Sequence, residues 1–352
     1  MSTPKRASVS RRSPGSNIVG TTSPRSRSEE RNVPEPDEDC QKYADDLARL
    51  QLHCDSDPFD DAGPDDSSDT DHGLDITQPS TLLQQEQIPT LPRYPITETK
   101  NCNCWSEPPH HKFNVRGEDY LNEKKGTKIP SGEYLFRAIG ADLILTNERS
   151  GPSIGLASNY ISICGGHLRK QPTFIINFIC PWGLIVNYYE IPEFYLPFLQ
   201  AVEADKPYLH AMLKGLEPHE RAMARFFMGS DEIRNESLKL IPIAVEGPLV
   251  VRKMVKGTPA VIGKRLPATY THYPADETRG LSDCFEVDLD VTSTDKVGRS
   301  ACNMSRRYMS SVTVDLGFVI EGRTEDELPE QMLGCVRLHK IDSLRAPTLP
   351  PL

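Results

Sequence analysis

The sequence predicts an α+β protein: a large, mainly antiparallel twisted sheet with a few helices, preceded by a disordered N-terminal arm. Three observations carry this expectation. Residues 1–100 hold 3 of the 25 aromatic residues and 11 of the 30 prolines, so only the remainder can bury a core. Beyond residue 101, about ten short apolar runs, several alternating with period two, recur between Gly and Pro turns. Helical periodicity is confined to three or four places, and the short links between runs favour hairpins over crossovers.

The arm divides by charge. Residues 1–32 carry seven Lys and Arg against Glu29 and Glu30, a net of +5, and residues 33–75 carry fifteen acids against Lys42 and Arg49, a net of -13. A proline-containing linker, 76–100, is balanced. The whole-chain charge of -10 therefore leaves the folded part near -2, too little for a strongly polarised surface. Within the acidic stretch, Tyr43, Leu47, Leu50 and Cys54 follow a helical stripe behind Asp37, so 37–54 reads as a short amphipathic helix. Such a helix is marginal alone; it is either a docking motif that folds on a protein partner or a transient helix without one. Pro89, Pro92 and Pro95 align on one face of a polyproline II segment that serves as a linker.

In the folded part, 134–145 reads as a strand pair or one long strand bent at Gly140. Residues 173–180 and 184–191 form a buried hairpin around a Pro-Trp-Gly turn. Pro at the first helical position and Gly229 at the end mark a helix over 217–228. Short strands are expected at 238–244, 249–255 and 260–263. In 284–291, Phe285, Val287, Leu289 and Val291 alternate with Glu286, Asp288 and Asp290, which predicts a strand with a solvated acidic face. A helix is expected over 295–308 and a strand over 311–320. Thr324 and Glu327 suggest a capping box opening a helix to about Leu333, followed by a last strand at 336–341.

Nothing approaches the ~20 apolar residues of a membrane-spanning helix. The N-terminus lacks the apolar centre of a secretory signal, so the nine cysteines are expected as thiols. Residues 1–28 share the Arg- and Ser-rich composition of organelle transit peptides but lack an apolar side; a plain basic arm is the preferred reading. Ser13-Pro14 and Ser23-Pro24 lie beside arginines, where phosphorylation would reverse the local charge.

Chemistry is sparse. Gly151 to Gly155 fits the GxSxG pattern of a serine hydrolase, with Ser153 as nucleophile and His339 downstream, but no strand runs into the first glycine and no helix follows the second. Cys102, Cys104, His110 and His111 have no standard zinc spacing, so no metal is expected. The acids of 284–291 lack a second carboxylate motif to pair with in catalysis. A candidate basic patch for phosphoinositide or another anionic lipid comprises Arg116, Lys124, Lys125, Lys128, Lys239, Arg252 and Lys253. No module for nucleic acid is recognisable.

Several blocks, in order, resemble the Enhanced Disease Resistance 2 C-terminal domain family. They begin with Cys104-Trp105-Ser106-Glu107-Pro108 and Arg116, and continue through Phe226, residues 229–235 (GSDEIRN), Leu238 to Pro242, Gly247 and Arg252. Phe285 to Val291, Asp315 and residues 321–337 (EGRTEDELPEQMLGCVR) close the match, which spans about 104–345. The signature residues are Trp105, Arg116, Asp231, Arg234, Asn235, Pro242, Gly247, Arg252, Asp288, Asp315, Glu327 and Pro329. The resemblance carries no catalytic residues and no cofactor. It implies a non-enzymatic, lipid-binding or membrane-associated regulatory protein, cytoplasmic and peripheral on endomembranes; the Ser153 hydrolase and a scaffold recruited through 37–54 are the alternatives. The larger plant members place lipid-binding domains ahead of this one, and the first hundred residues here are expected to hold none.

Overall fold

Two five-stranded sheets bury their inner faces in one shared core. The computed structural model describes residues 91–93, 102–122, 126–146, 167–201, 206–294, 302–303, 306 and 308–348. The first sheet runs β1 (Cys104–Ser106), β12 (Met332–His339), β11 (Thr313–Ile320), β7 (Leu238–Glu246) and β8 (Ala260–Val261), antiparallel throughout. The second runs β4 (Arg137–Leu145), β6 (Gly183–Glu190), β5 (Thr173–Cys180), β10 (Cys284–Asp290) and β9 (Ala268–Tyr273), with β5 and β10 its one parallel pair. A ribbon of β2 (Asn114–Arg116) and β3 (Lys128–Pro130) covers the outer face of the first sheet, where Phe113 and Val115 pack on Ile241, Val319, Met332 and Cys335.

The alternating apolar residues explain this division. Phe174, Ile176 and Phe178 of β5 and Phe285, Val287 and Leu289 of β10 enter the same cluster as Phe318 and Ile320 of β11 and Val336 and Leu338 of β12. Each sheet thus supplies the cover that the other's apolar face requires, and the expected strands split between two sheets instead of continuing in one. Five helices follow from the described residues: α1 (Leu196–Leu199), α2 (Lys206–Met212), α3 (Pro218–Met228), α4 (Asp231–Ser237) and α5 (Leu249–Met254). α3 enters the core with Ala222, Met223, Phe226 and Phe227, and Phe227 meets Phe285 edge-on at 5.3 Å. A buried aromatic ring of this kind contributes roughly 1.5–3 kcal/mol.

The long bent strand expected at 134–145 is β4, whose register shifts between Ala138 and Gly140. Three expectations fail. Residues 249–255 form α5, because Gly247 takes φ 134, where a Cβ would strike Val312 at 2.8 Å, and so turns the chain out of β7. A short apolar run cannot distinguish strand from helix by itself. The helix over 324–333 is a single 3-10 turn, Glu325–Glu327, and Leu333 and Gly334 already belong to β12. Pro329 has no N–H to continue the helix. The acids of β10 do not face solvent: Glu286 is fully buried and Asp288 nearly so. Asp288 accepts a hydrogen bond from Asn177 Nδ2 at 2.8 Å.

Of the helix expected over 295–308, only Cys302, Asn303, Arg306 and Tyr308 are described. The 37–54 segment, the linker prolines apart from Pro92, Ser153 with its GxSxG stretch, Lys124 and Lys125 lie outside the described residues.

Candidate functional site

Glu217, Pro218 and Glu220 start α3 together. The proline fills the first helical position, and Glu220 accepts the Glu217 N–H at 3.0 Å. The apolar side of α3 enters the core, which leaves Arg221 and Arg225 on the opposite side. At its end the chain turns through Gly229 and Ser230 into α4. Arg234 on α4 reaches back, donating to the carbonyls of Phe226 and Phe227 at 3.1 and 2.7 Å, and its guanidinium lies over Phe285 and Tyr270. It satisfies the open end of α3 and fixes the angle of α4.

The segment after β11 is held to the exposed side of α3. Arg225 donates to Glu327 at 2.6 Å and pairs with Asp326 at 3.4 Å, Arg221 donates to the Asp326 carbonyl, and the Arg323 N–H reaches Glu327 at 2.8 Å. Thr324, with Arg225 and Arg221 adding to it, holds the Asp326 carboxyl below its ordinary pKa. The Glu321 N–H to Ser237 carbonyl bond, at 2.7 Å, joins the end of β11 to the end of α4.

These connections leave a cleft of about 450 Å³ between α3, α4 and 321–327. Phe226, Met228, Ile233 and Ile320 are its apolar lining, and Arg225, Arg323, Glu321 and Glu327 its charged lining. Glu327 is committed to Arg225 and to the Arg323 backbone. The Arg323 guanidinium pairs with Glu236, but both side chains are more than 40% exposed, so this contact exchanges readily with another anion.

A second, smaller depression of about 280 Å³ gathers Arg116, Lys128 and Lys239 of the candidate basic patch with Tyr120. Its charges are compensated. Lys239 Nζ lies 2.9 Å from both Glu321 and Glu330, and Arg116 lies 3.1 Å from Glu321 and 3.7 Å from Glu330. Glu330 also accepts the backbone N–H groups of Arg116 and Gly322. Two cations and two carboxylates in one largely buried cluster form a closed network that joins β2, β7 and the segment before β12. Arg252 and Lys253 are elsewhere, exposed on α5.

The family described as "Protein ENHANCED DISEASE RESISTANCE 2, C-terminal" matches residues 105–342. The chain belongs to the Enhanced Disease Resistance 2 C-terminal family. It is 26% identical over 243 residues to "Protein ENHANCED DISEASE RESISTANCE 2-like" of Arabidopsis thaliana, an alignment covering 68% of this chain and 29% of that protein. The chain thus spans less than a third of that relative's length. No solved structure matches it.

The blocks that carry the Enhanced Disease Resistance 2 resemblance meet in space. Residues 229–235 form one bank of the larger cleft and residues 321–327 the other. Asp231 pairs with Arg234 at 2.9 Å, and Asn235 accepts from the Tyr270 hydroxyl at 3.1 Å. Gly263 approaches Asn235 so closely that a Cβ would lie 2.4 Å from its Cα. Trp105 is buried in β1 with Arg93 over its ring, and Pro242 sits in β7 opposite Leu316. Asp315 pairs with Arg337 through two hydrogen bonds. Pro329 follows a cis peptide bond before β12.

Sequence reasoning missed Arg225, Arg323 and Ile233 as cleft residues. Nothing local to Arg225 announces the segment that packs on α3 there. The cysteine and histidine group does not assemble a site: Cys104 is buried in β1 and His110 Nδ1 bonds the Ser131 carbonyl oxygen. His339 meets Ser106, its Nε2 2.8 Å from the hydroxyl; burial and then Arg337 hold its pKa below the ordinary value.

Proposed function

We propose that this chain is a non-enzymatic regulatory protein that works peripherally on cytoplasmic faces of endomembranes, and that its Enhanced Disease Resistance 2 C-terminal domain binds an anionic lipid in the larger cleft. The observation that carries this reading is the pairing of an apolar lining with Arg323, whose exposed ion pair can exchange, at the junction of the two signature blocks. Its volume falls within the ~300–1,000 Å³ usual for small-molecule sites. An amphiphile with a phosphate group satisfies both halves: the apolar lining takes apolar chain, and the Arg323 guanidinium matches phosphate oxygens in a way that lysine would not. The Arg323–Glu236 pair yields at little cost because it is exposed.

Lys124, Lys125, Lys128, Arg252 and Lys253 add diffuse attraction to an anionic surface, whereas the compensated Arg116 and Lys239 serve the fold. The 37–54 segment recruits a protein partner. Liposome flotation tests the lipid reading. The full chain is expected to float with vesicles containing phosphatidylinositol phosphates or phosphatidylserine and to stay behind with phosphatidylcholine alone. Absence of flotation on every vesicle, together with no lipid co-purifying with the protein, contradicts it.

A further inference from the structure

An exposed contact ties the two banks of the larger cleft together. Arg323, on the segment after β11, donates from its guanidinium to the carboxylate of Glu236 on α4, one turn beyond Ile233. Both side chains keep more than 40% of their surface in water. The hydrogen bond and the charge of Arg323 hold the Glu236 carboxyl below its ordinary pKa. It is therefore an anion at neutral pH and occupies the guanidinium that a ligand needs.

The other arginine of the lining is not available in this way. Arg225 donates to Glu327 at 2.6 Å, and the Glu327 side chain is only 7% exposed. Drawing Arg225 away would strand a buried carboxylate, which costs several times what an exposed pair is worth. Glu321, the second acid of the lining, is held by Lys239 at 2.9 Å and by Arg116 at 3.1 Å, and both cations are shared with Glu330. Of the two arginines that line the cleft, Arg323 alone has an exposed, replaceable partner. The cleft thus offers one exchangeable positive charge in the company of two fixed carboxylates. A head group with several phosphates gains affinity where several uncommitted cations meet it, and here its further phosphates find Glu321 and Glu327 in the same lining.

We propose that the cleft accepts a lipid carrying a single phosphodiester anion, and that Glu236 is the protein's own competitor for the place of that anion on Arg323. Binding is an exchange. The phosphodiester replaces the carboxylate on the guanidinium, and Glu236 turns to water at little cost because it is already exposed. The inference rests on the lipid reading of the cleft and deepens it, naming the head group and the residue that sets its affinity.

Isothermal titration of the full chain with monomeric short-chain phosphatidylinositol, and with its bisphosphate, tests both halves. Wild type is expected to bind the two lipids equally, and Glu236→Gln to bind each about two- to fivefold more tightly, the span of an exposed ion pair. Arg323→Gln is expected to bind weakly, and Glu236→Gln added to it to recover nothing, because the competitor has then lost its target. Both side chains are exposed, and Arg323 reaches Glu327 through its backbone N–H, so the variants keep the fold; circular dichroism checks this. A preference of about tenfold or more for the bisphosphate overturns the single-anion selection. A gain from Glu236→Gln that is equal with and without Arg323, or no gain at all, overturns the competition. If neither lipid binds wild type or Glu236→Gln, the lipid reading itself falls and takes this inference with it, an outcome distinct from the others.

Discussion

Asp315 and Arg337 lie opposite one another on β11 and β12, and both are almost wholly withdrawn from water. Their two parallel hydrogen bonds, at 2.5 and 2.7 Å, satisfy a planar guanidinium with a planar carboxylate. Removing one partner leaves the other charge buried without compensation, at a cost of about 3–5 kcal/mol. Asp315→Ala is therefore predicted to lose that much in urea unfolding, and Asp315→Ala with Arg337→Leu to lose less, because no charge is then stranded. Equal losses would show that the pair matters through packing alone. This partnership was not legible in the sequence, where Asp315 and Arg337 sit in separate runs. Glu286 and Asp288 teach the same point. Alternation announced that the two faces of β10 differ, but periodicity cannot report that the polar face is withdrawn from water as well.

α3 was readable because the chain carries its own start and stop signals there. α3 has Pro218 at its start and Gly229 past its end, and the structure places it over Pro218–Met228. By contrast, α5 and the 3-10 turn at Glu325–Glu327 were misread because tertiary context decides them. The turn of Gly247 creates the first, and the attachment of Glu327 to Arg225 fixes the second. The α3–α4 junction depends on Arg234, whose fork reaches two helix-end carbonyls while its face covers Phe285. Arg234→Ala is predicted to destabilise the domain by about 2 kcal/mol, since charged hydrogen bonds contribute roughly 1.5–3 kcal/mol and those carbonyls would lose their partner. Arg234→Lys recovers little, because one ammonium cannot reproduce the planar fork. Thermal unfolding of the two variants checks this, and full recovery by lysine would contradict the fork argument.

At the scale of the molecule, the arrangement of sheets and helices brings together two signature blocks almost ninety residues apart, and the cleft exists only there. The α+β class and the mainly antiparallel pairing were legible from alternation and turn residues. The partition into two sheets was not, because period-two patterns show which face is buried but not what it is buried against. The candidate basic patch illustrates the same limit. Arg116 and Lys239 looked like a cationic surface in sequence, yet Glu321 and Glu330 from the far end of the chain neutralise them. What remains for an anionic amphiphile is the cleft of Phe226, Ile233 and Arg323. Hydrogen exchange of the full chain, with and without phosphatidylinositol-phosphate vesicles, tests that assignment most directly. The account predicts protection concentrated in residues 228–237 and 320–327 and lost in Ile233→Asp with Arg323→Glu; protection confined to the β2–β3 ribbon, or none in either bank, would contradict it.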